Sequence, residues 1–491
     1  MAKKKSETLA TPSEPKKSKQ SKPKKKLAPV PVQLGDPSLQ IANPLSAGID
    51  LHLRDHWVCV PAACAKLPPK DHPANLPANV RAFGTCTGDL ERLADWLAEC
   101  GITTVAMEST GVYWIPLFEL LERRGFQVFL VNPVQTRQVT GRPKSDVLDC
   151  QWIQRLHSYG LLTASFRPGD QTCVLRSYLR QRQMLIADAG RSVQHMQKAL
   201  EQMNIKLATV VDDITGATGM LILRAILAGN RDPKSLVKFR HKQCKSSSAK
   251  FAEALRGNWR DEHLFSLQQA MATYDHLRQQ LTACDGRIEA FLKEQPDLSD
   301  GREFTVVTSS KSKSADAKFD VQSLLFRWTG IDLLVIEGIG GVTALNVLSE
   351  IGTDMSKWPT EKHFSSWLGL CPQHRGSGQR VQRRRTRGGA NRAAQAFRMA
   401  AQGCHGAKNA MGAYYRRIQA RAGGHKAVTA TAHKIACRVY RLLKYGEKYV
   451  RQEIEEYETK FRAKQAKNLA KKATEMGYKL VPIAVESSPA I

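Results

Sequence analysis

The chain shows three successive patterns of hydrophobic and polar positions, and each pattern predicts a different architecture. The first pattern covers residues 41–168. Short β-branched runs such as "TTVAME" stand between segments such as "GDLERLADWLAECG", in which Leu90, Leu93 and Leu97 recur at helical spacing. A polar turn inside "LSAGIDLHLRDHWVCVP" indicates a strand hairpin. A hairpin followed by alternating helices and strands predicts an α/β domain with one mixed sheet.

The second pattern is a seven-residue apolar repeat within residues 169–296. Its first apolar position is held by Leu179, Ile186, Val193 and Leu200, and its second by Ala189, Met196 and Met203. The repeat predicts about three heptads of coiled coil ending near Asn204, with Arg182 interrupting the second position. Another helix, residues 265–295, follows after a basic loop. The two helices either pair as a hairpin or dimerise between chains, and exposed heptads favour dimerisation.

The third pattern is a basic helical region over residues 331–455, preceded by a polar, Ser- and Lys-rich insertion or loop over 297–330. It begins with "LLVIEGIGGVTALNVLSEIG", which resembles a helix-hairpin-helix whose Gly-rich turn offers backbone N–H groups to a phosphate. A Gly-rich turn between packed helices has a similar sequence. Residues 456–491 are predicted to be a C-terminal tail. The fold class is therefore α/β plus α.

The charge of the chain changes this picture, because it indicates a polyanionic partner. The formal net charge is +29, and residues 1–40 form a basic, low-complexity segment predicted to be a disordered tail. A membrane partner is not expected, since no run of about 18 apolar residues occurs. Without an apolar signal segment, the expected location is the cytoplasm. Scattered cysteines, and His52 and His56 in a predicted strand and turn, do not support a zinc site.

Four acidic residues stand where an α/β domain gathers them. Asp50 ends the first apolar strand, Glu108 ends "TTVAME", and Asp146 and Asp149 are three apart on one helical face. Converging carboxylates repel one another unless hard cations bind them, so the pattern predicts Mg²⁺, with Mn²⁺ as an alternative. Two ions about 4 Å apart would clamp a phosphodiester. Singly, each acid is equally well explained as a cap of a turn or helix.

The segment "GSGQRVQRRRTRGGANR", residues 376–392, contains a serine between two glycines and no acidic residue. Ser377 is a candidate nucleophile, although a free serine hydroxyl is a weak one. The composition of the segment, taken alone, favours the view that Ser377 only makes a loop flexible. The candidate phosphate-contacting residues of this region are Arg375, Arg380, Arg383, Arg384, Arg385 and Arg387. Lys144 is as consistent with a phosphate contact as with a solvated side chain. No module that reads DNA sequence is recognisable.

Five motifs in one order carry a family resemblance. They are "GIDLHLRDHWVCV", "AMESTGVYW", "NPVQTRQVTGRPKSDVLDCQWI", "IEGIGGVTALNVLSEIG" and "FSSWLGLCPQHRGSGQRVQRRRTRGGANRAAQAFRMAA". The chain resembles the DEDD-type insertion-sequence transposases related to the Piv DNA invertase, which are bridge-RNA-guided serine recombinases. The resemblance covers about residues 45–450. Insertions after Pro61 and within 297–330, with Gly376 and Gln379 beside the serine, depart from the pattern of the family.

The resemblance implies a RuvC-like (ribonuclease H type) domain, a coiled coil and a C-terminal transposase domain. The four acids that bind Mg²⁺ in the family fall on Asp50, Glu108, Asp146 and Asp149, and the catalytic serine falls on Ser377. The implied partners are a guide (bridge) RNA and donor and target double-stranded DNA. The implied assembly is a homodimer that forms a tetramer, in a prokaryotic, nucleoid-associated setting.

The sequence thus predicts a recombinase that moves an insertion element through a covalent phosphoserine intermediate. Two other functions stay open. A hydrolytic RuvC-like junction nuclease would use the same carboxylates with water as the nucleophile, which would make Ser377 dispensable. A non-enzymatic nucleic-acid-binding scaffold would need neither the serine nor the acids.

Overall fold

The computed structural model describes residues 40–66, 72–109, 111–136, 145–302, 304, 317–372, 376–377, 380–381, 386 and 391–481. For residues 376–377 and 380–381 the backbone alone is described. The predicted basic tail therefore lies outside the described residues, apart from Gln40. The chain divides into two compact units between Phe166 and Arg167.

The first unit is a mixed α/β fold. Its strands are β1 Ser46–Leu51, β2 Asp55–Cys59, β3 Val80–Gly84, β4 Thr104–Glu108 and β5 Gln127–Val131, and its helices are α1 Thr87–Glu99, α2 Trp114–Arg123, α3 Pro133–Thr136 and α4 Asp146–Ser158. The sheet order is β3-β2-β1-β4-β5, with β1, β4 and β5 parallel and β1, β2 and β3 antiparallel. The predicted hairpin, mixed sheet and alternating helices are confirmed.

The core of this unit lies on the central strands. Ile49 of β1 and Met107 of β4 are fully buried and pack with Leu93 and Leu97 of α1. Burying both faces of β1 and β4 leaves few polar positions along these strands. The carboxylates of Asp50 and Glu108 therefore stand at the strand ends.

The second unit begins with two long helices, α5 Asp170–Gln202 and α9 Asp261–Lys293, which pack against each other. Of the predicted heptad face of α5, Leu179, Ala189, Met196 and Leu200 are buried within the chain and Ile186 and Val193 are partly buried, so a fully exposed seam no longer argues for dimerisation. Arg182 does not interrupt this face. Its side chain is 5% exposed, and its Nε donates to Oδ1 of Asp285 on α9 at 2.5 Å. A buried ion pair of this kind can fix the register of two helices.

The segment between these helices is not the basic loop that the sequence indicated. It forms the three helices α6 Ala217–Leu227, α7 Pro233–Val237 and α8 Ser248–Ala254. Ile222, Leu236 and Phe251 are fully buried in one apolar cluster with Met196 of α5. Apart from the apolar run of α6, the apolar residues of this segment are spread between lysines and arginines, and tertiary packing brings them together.

The remaining elements are mostly helical. They are α10 Val321–Thr329, α11 Gly341–Ile351, α12 Glu361–Trp367, β6 Gly376–Ser377, β7 Arg380–Val381, α13 Arg392–Gly403, α14 Ala410–Ala422, α15 Gly424–Tyr445 and α16 Glu447–Glu475. Helix α15 is the centre of this region, since α12, α13, α14 and α16 all pack against it. None of the described helices combines the length and hydrophobicity that a membrane crossing needs.

Two segments differ from the sequence-based boundaries. The end of the predicted insertion 297–330 forms α10, because Asp320 caps its first turn and Leu324, Leu325 and Phe326 turn inward. The predicted C-terminal tail continues α16 as far as Glu475. Ion pairs one helical turn apart, such as Lys460 with Glu456, accompany this exposed helix.

The Gly-rich turn also differs from the expected pair of helices. The residues before it form one 3-10 turn, Leu333–Val335, rather than an α-helix. Gly338 adopts a φ of +89° and lies against Ala400 of α13 and Cys404, the residue that follows this helix, and a Cβ would be 2.9 Å from the Ala400 carbonyl oxygen. This glycine is therefore required by packing between elements, which is the alternative that the sequence left open.

Candidate functional site

The first two acids lie side by side at one edge of the sheet. Strands β1 and β4 are parallel, and their register pairs Ile49 with Met107. Asp50 and Glu108 follow this pair by one residue on each strand. Neighbouring residues on paired strands direct their side chains to the same face. The order of strands thus places two carboxylates, far apart in sequence, on one face.

Helix α4 covers this face and brings in the third acid. Ser145 caps the helix, with its Oγ accepting from the backbone N–H of Leu148, so Asp146 is the first helical residue. Gly48, two residues before Asp50 on the same face, lets the backbone of α4 approach β1 closely. A Cβ on Gly48 would lie 2.5 Å from the carbonyl oxygen of Cys150 and 2.6 Å from the Cα of Gln154.

Asp50, His52 and Asp146 form the resulting cluster, with ligand atoms that all lie within 4.8 Å of one another. Nε2 of His52 is 3.1 Å from Oδ2 of Asp50 and 3.4 Å from Oδ1 of Asp146. The Asp50 side chain is 15% exposed, against 42% for His52 and 51% for Asp146. The cluster therefore has a buried end at the sheet and an open end at the helix.

Burial raises the pKa of the Asp50 carboxyl above its ordinary value. The neighbouring imidazole of His52 opposes this rise, and the negative charges of Glu108 and Asp146 add to it. The site is thus short of positive charge around its most buried carboxylate. A bound cation would supply that charge.

The other two predicted acids lie close by but outside this three-residue group. Glu108 interacts electrostatically with Asp50, and its Oε2 accepts a hydrogen bond of 2.9 Å from the hydroxyl of buried Thr136. Asp149 lies in the first turn of α4, where its backbone N–H donates to the carbonyl of Ser145. Glu108 thus lies beside Asp50, and Asp149 shares the first turn of α4 with Asp146.

His52 is the residue that sequence reasoning missed at this site. It was considered with His56 as a zinc pair, but His56 is 2% exposed on β2, and burial lowers the pKa of its imidazole. The usable signal was the spacing from Asp50. A residue two positions after a strand-terminal aspartate lies on the same side of the strand.

The donor set fits a divalent cation. The two carboxylates are ligands that Mg²⁺ and Mn²⁺ both accept, and the imidazole is a ligand that suits transition-metal ions. The partly exposed Asp146 and His52 leave room for water or substrate oxygens. The arrangement can hold an ion beside a phosphodiester that approaches from the N-terminal end of α4.

The candidate nucleophile lies in the second unit, in a short β-hairpin. Strands β6 and β7 are antiparallel, and their register pairs Ser377 with Arg380. An isolated bridge between Pro372 and Thr386 continues the ribbon. Several predicted phosphate-contacting residues lie outside the described residues, namely Lys144, Arg375, Arg383, Arg384, Arg385 and Arg387.

The sequence around this hairpin has a wider charge bias than was first recognised. Residues 362–446 contain no Asp or Glu, yet they contain eighteen lysines and arginines. Arg416, Arg417, Arg421 and Lys426 are exposed on α14 and the start of α15. This part of the second unit is therefore strongly cationic and has no acidic side chains of its own.

Comparison with known protein families gave two matches. Residues 47–205 match the DEDD-type family described as "Transposase", and residues 332–416 match the family described as "Transposase IS116/IS110/IS902 family". The first match contains all four predicted acids, and the second contains Ser377. The comparison with curated proteins found no match.

Proposed function

Because the chain belongs to the DEDD-type IS110/IS116 transposase family, whose members cut and rejoin DNA, we propose that it is the RNA-guided recombinase of an insertion sequence. The observation that carries this proposal is the convergence of Asp50 and Asp146, from distant parts of the chain, within the segment that matches the DEDD-type family. A scaffold protein would have no need to gather carboxylates at such a cost in repulsion.

In this proposal the first unit is a RuvC-like domain. The mixed five-stranded sheet, with carboxylates on its two central parallel strands, supports that assignment. Asp50, Glu108, Asp146 and Asp149 would hold Mg²⁺, in one or two sites, with Mn²⁺ as a substitute. A bound ion would stabilise negative charge on the phosphodiester oxygens and on the leaving group.

Ser377 is the proposed nucleophile. Its Oγ attacks the phosphorus of a DNA phosphodiester, so an Oγ–P bond forms, a P–O bond to deoxyribose breaks, and a DNA hydroxyl leaves with a proton. Attack by the hydroxyl of another DNA end then reforms a phosphodiester and releases Ser377. The phosphoserine link conserves the bond energy, so no external energy source is needed for rejoining. The backbone pairing of Ser377 with Arg380 supports a role for Arg380 at the phosphate.

Guide RNA and DNA would bind the acid-free region of the second unit. Its cationic residues, including the arginines near Ser377, can neutralise phosphates without reading bases. Sequence choice would then come from base pairing with the bridge RNA, a division of labour known in other RNA-guided enzymes. Arg375, Arg380, Arg383, Arg384, Arg385, Arg387 and Lys144 are the proposed phosphate contacts.

The proposed assembly is a homodimer that forms a tetramer on donor and target DNA. Its support is functional. Recombination cuts strands of both the donor and the target DNA, and each cut strand needs a serine nucleophile, so more than one subunit must act. Light scattering of the protein bound to RNA and both DNAs should give a tetramer, and a monomer would refute the assembly.

A covalent-trapping assay tests the central proposal. The full chain is co-expressed with the RNA encoded beside its gene and mixed with end-labelled donor and target DNA and Mg²⁺. Denaturing gels should show a protein–DNA adduct for wild type and none for Ser377→Ala. Ser366→Ala is the matched control, because Ser366 is an exposed helical serine of the same unit.

Asp50→Asn completes the design. It should lose the adduct while keeping RNA and DNA binding, because it removes one carboxylate charge and leaves the cationic surface unchanged. Cleavage without an adduct, unchanged in Ser377→Ala, would replace the proposal with hydrolysis by water. Full activity in Asp50→Asn would refute the metal-site assignment.

A further inference from the structure

His52 is held in a defined position beside the two carboxylates. It follows β1 directly, and its backbone N–H donates to the carbonyl of Asp55 at 3.1 Å, which closes the turn into β2. The turn therefore fixes the backbone of His52 within two residues of Asp50. Its imidazole, roughly half exposed, extends towards the N-terminus of α4.

The spacing of the three donor atoms matches ligands of a single ion. Donors bound at about 2.1 Å and at right angles lie about 3.0 Å apart. Nε2 of His52 is 3.1 Å from the nearer Asp50 oxygen and 3.4 Å from the nearer Asp146 oxygen. Since the Asp50 and Asp146 oxygens also lie within 4.8 Å of each other, the three side chains are close enough to converge on one ion.

We propose that His52 supplies an imidazole nitrogen to the ion held by Asp50 and Asp146, which makes the site a mixed nitrogen–oxygen site that prefers Mn²⁺ to Mg²⁺. The inference rests on the proposed metal-binding role of the carboxylates and adds to it both a ligand and a metal preference. An all-oxygen set would discriminate less between the two ions.

The preference follows from ligand chemistry. Imidazole binds transition metals better than it binds Mg²⁺, which demands oxygen donors and keeps several of its waters. One nitrogen among the ligands therefore raises the affinity for Mn²⁺ and adds little for Mg²⁺. In a competing arrangement the three side chains keep these positions, but the imidazole is hydrogen-bonded to Asp50 and does not bind the ion.

Pulsed electron paramagnetic resonance of the Mn²⁺-loaded full chain separates the two arrangements. A directly bound imidazole nitrogen modulates the electron spin echo of Mn²⁺ strongly, and one that is only hydrogen-bonded to a carboxylate ligand modulates it far more weakly. Wild type should show nitrogen modulation, and His52→Ala should lose it. His72→Ala is the matched control, since His72 lies in a loop of the same unit and contacts the Leu76 carbonyl; it should keep the modulation.

Competition titrations test the metal preference. His52→Ala should weaken Mn²⁺ binding about tenfold and change Mg²⁺ binding far less. His52→Asp, which replaces the nitrogen by an oxygen, should reduce the preference for Mn²⁺ over Mg²⁺. Because His52 is partly exposed, both variants should keep the thermal unfolding midpoint of wild type, and His52→Asp keeps the test informative if one variant misfolds.

The outcomes separate this inference from the proposed function. Mn²⁺ that binds wild type without nitrogen modulation, and is lost in Asp50→Ala, would overturn the role of His52 and leave the carboxylate site intact. An equal loss of Mn²⁺ and Mg²⁺ affinity in His52→Ala would do the same, because it indicates a positioning role. Failure of wild type to bind either ion would refute the metal site itself.

Discussion

Gly48 should be the most sensitive position of the candidate metal site, although it carries no functional group. Carbon atoms pack at about 3.5–4.0 Å. In Gly48→Ala the new Cβ would lie 2.6 Å from the Cα of Gln154, so α4 must retreat by about 1 Å. Overpacking of this kind costs about 1–3 kcal/mol of unfolding free energy. The retreat also carries Asp146 away from Asp50, and a misplacement of about 1 Å can reduce a reaction rate about 100-fold.

Three measurements on purified full chain test this expectation. Thermal unfolding should show a lower midpoint for Gly48→Ala, Mn²⁺ titration should show weaker binding, and the trapping assay should show a large loss of adduct. Gly88→Ala is the control, because Gly88 is exposed on α1 and a Cβ there meets nothing closer than a nitrogen of Arg92 at 3.8 Å. Wild-type activity and stability in Gly48→Ala would refute the close approach of α4 to β1.

Two further predictions concern side chains that support the site. Burial lowers the pKa of His157 from 6.5 to about 4, so between these pH values the unfolded chain binds a proton that the folded chain does not. The free energy of unfolding should therefore be highest above pH 6.5 and should fall by on the order of 3 kcal/mol as the pH is lowered to 4. His157→Gln should remove this part of the pH dependence in urea unfolding, and an unchanged profile would contradict the assignment. Thr136→Val, which removes the hydroxyl that donates to Glu108, should weaken Mn²⁺ binding about tenfold, while Thr136→Ser should retain it; equal binding by both would show that this hydrogen bond is not needed.

The α/β unit could be predicted because its signals are local. A β-branched run, a polar turn and helical apolar spacing each lie within a short window, and the strand-terminal positions of Asp50 and Glu108 follow directly from them. The helical position of Asp146 was recognisable because the residue before it, Ser145, is a typical N-cap residue. Their roles in catalysis, and that of Ser377, stay predictions.

The elements that were missed depend on contacts between distant segments. Helix α6 has a local signal, the apolar run of residues 220–227, but α7 and α8 are short segments whose apolar residues stand among lysines and arginines, so no single window carries the pattern of their core. Arg182 appeared to interrupt the heptads because its partner Asp285 is about a hundred residues away in sequence. His52 was assessed against His56, its neighbour in sequence, whereas the relevant neighbour is Asp146 on α4.

The hairpin of α5 and α9 sets a fixed distance between two ends of the second unit. Each helix has 33 residues, which corresponds to a length of about 50 Å, or the rise of about fifteen base pairs of B-form DNA. At one end of the hairpin, Arg180 of α5 forms an ion pair with Glu350 of α11. At the other end, helices α6–α8 pack against the hairpin. Removal of one heptad from both helices would keep the apolar face in phase and bring the two ends about 10 Å closer together. The distance between α11 at one end and α6–α8 at the other could thus be shortened by whole heptads without redesigning either end.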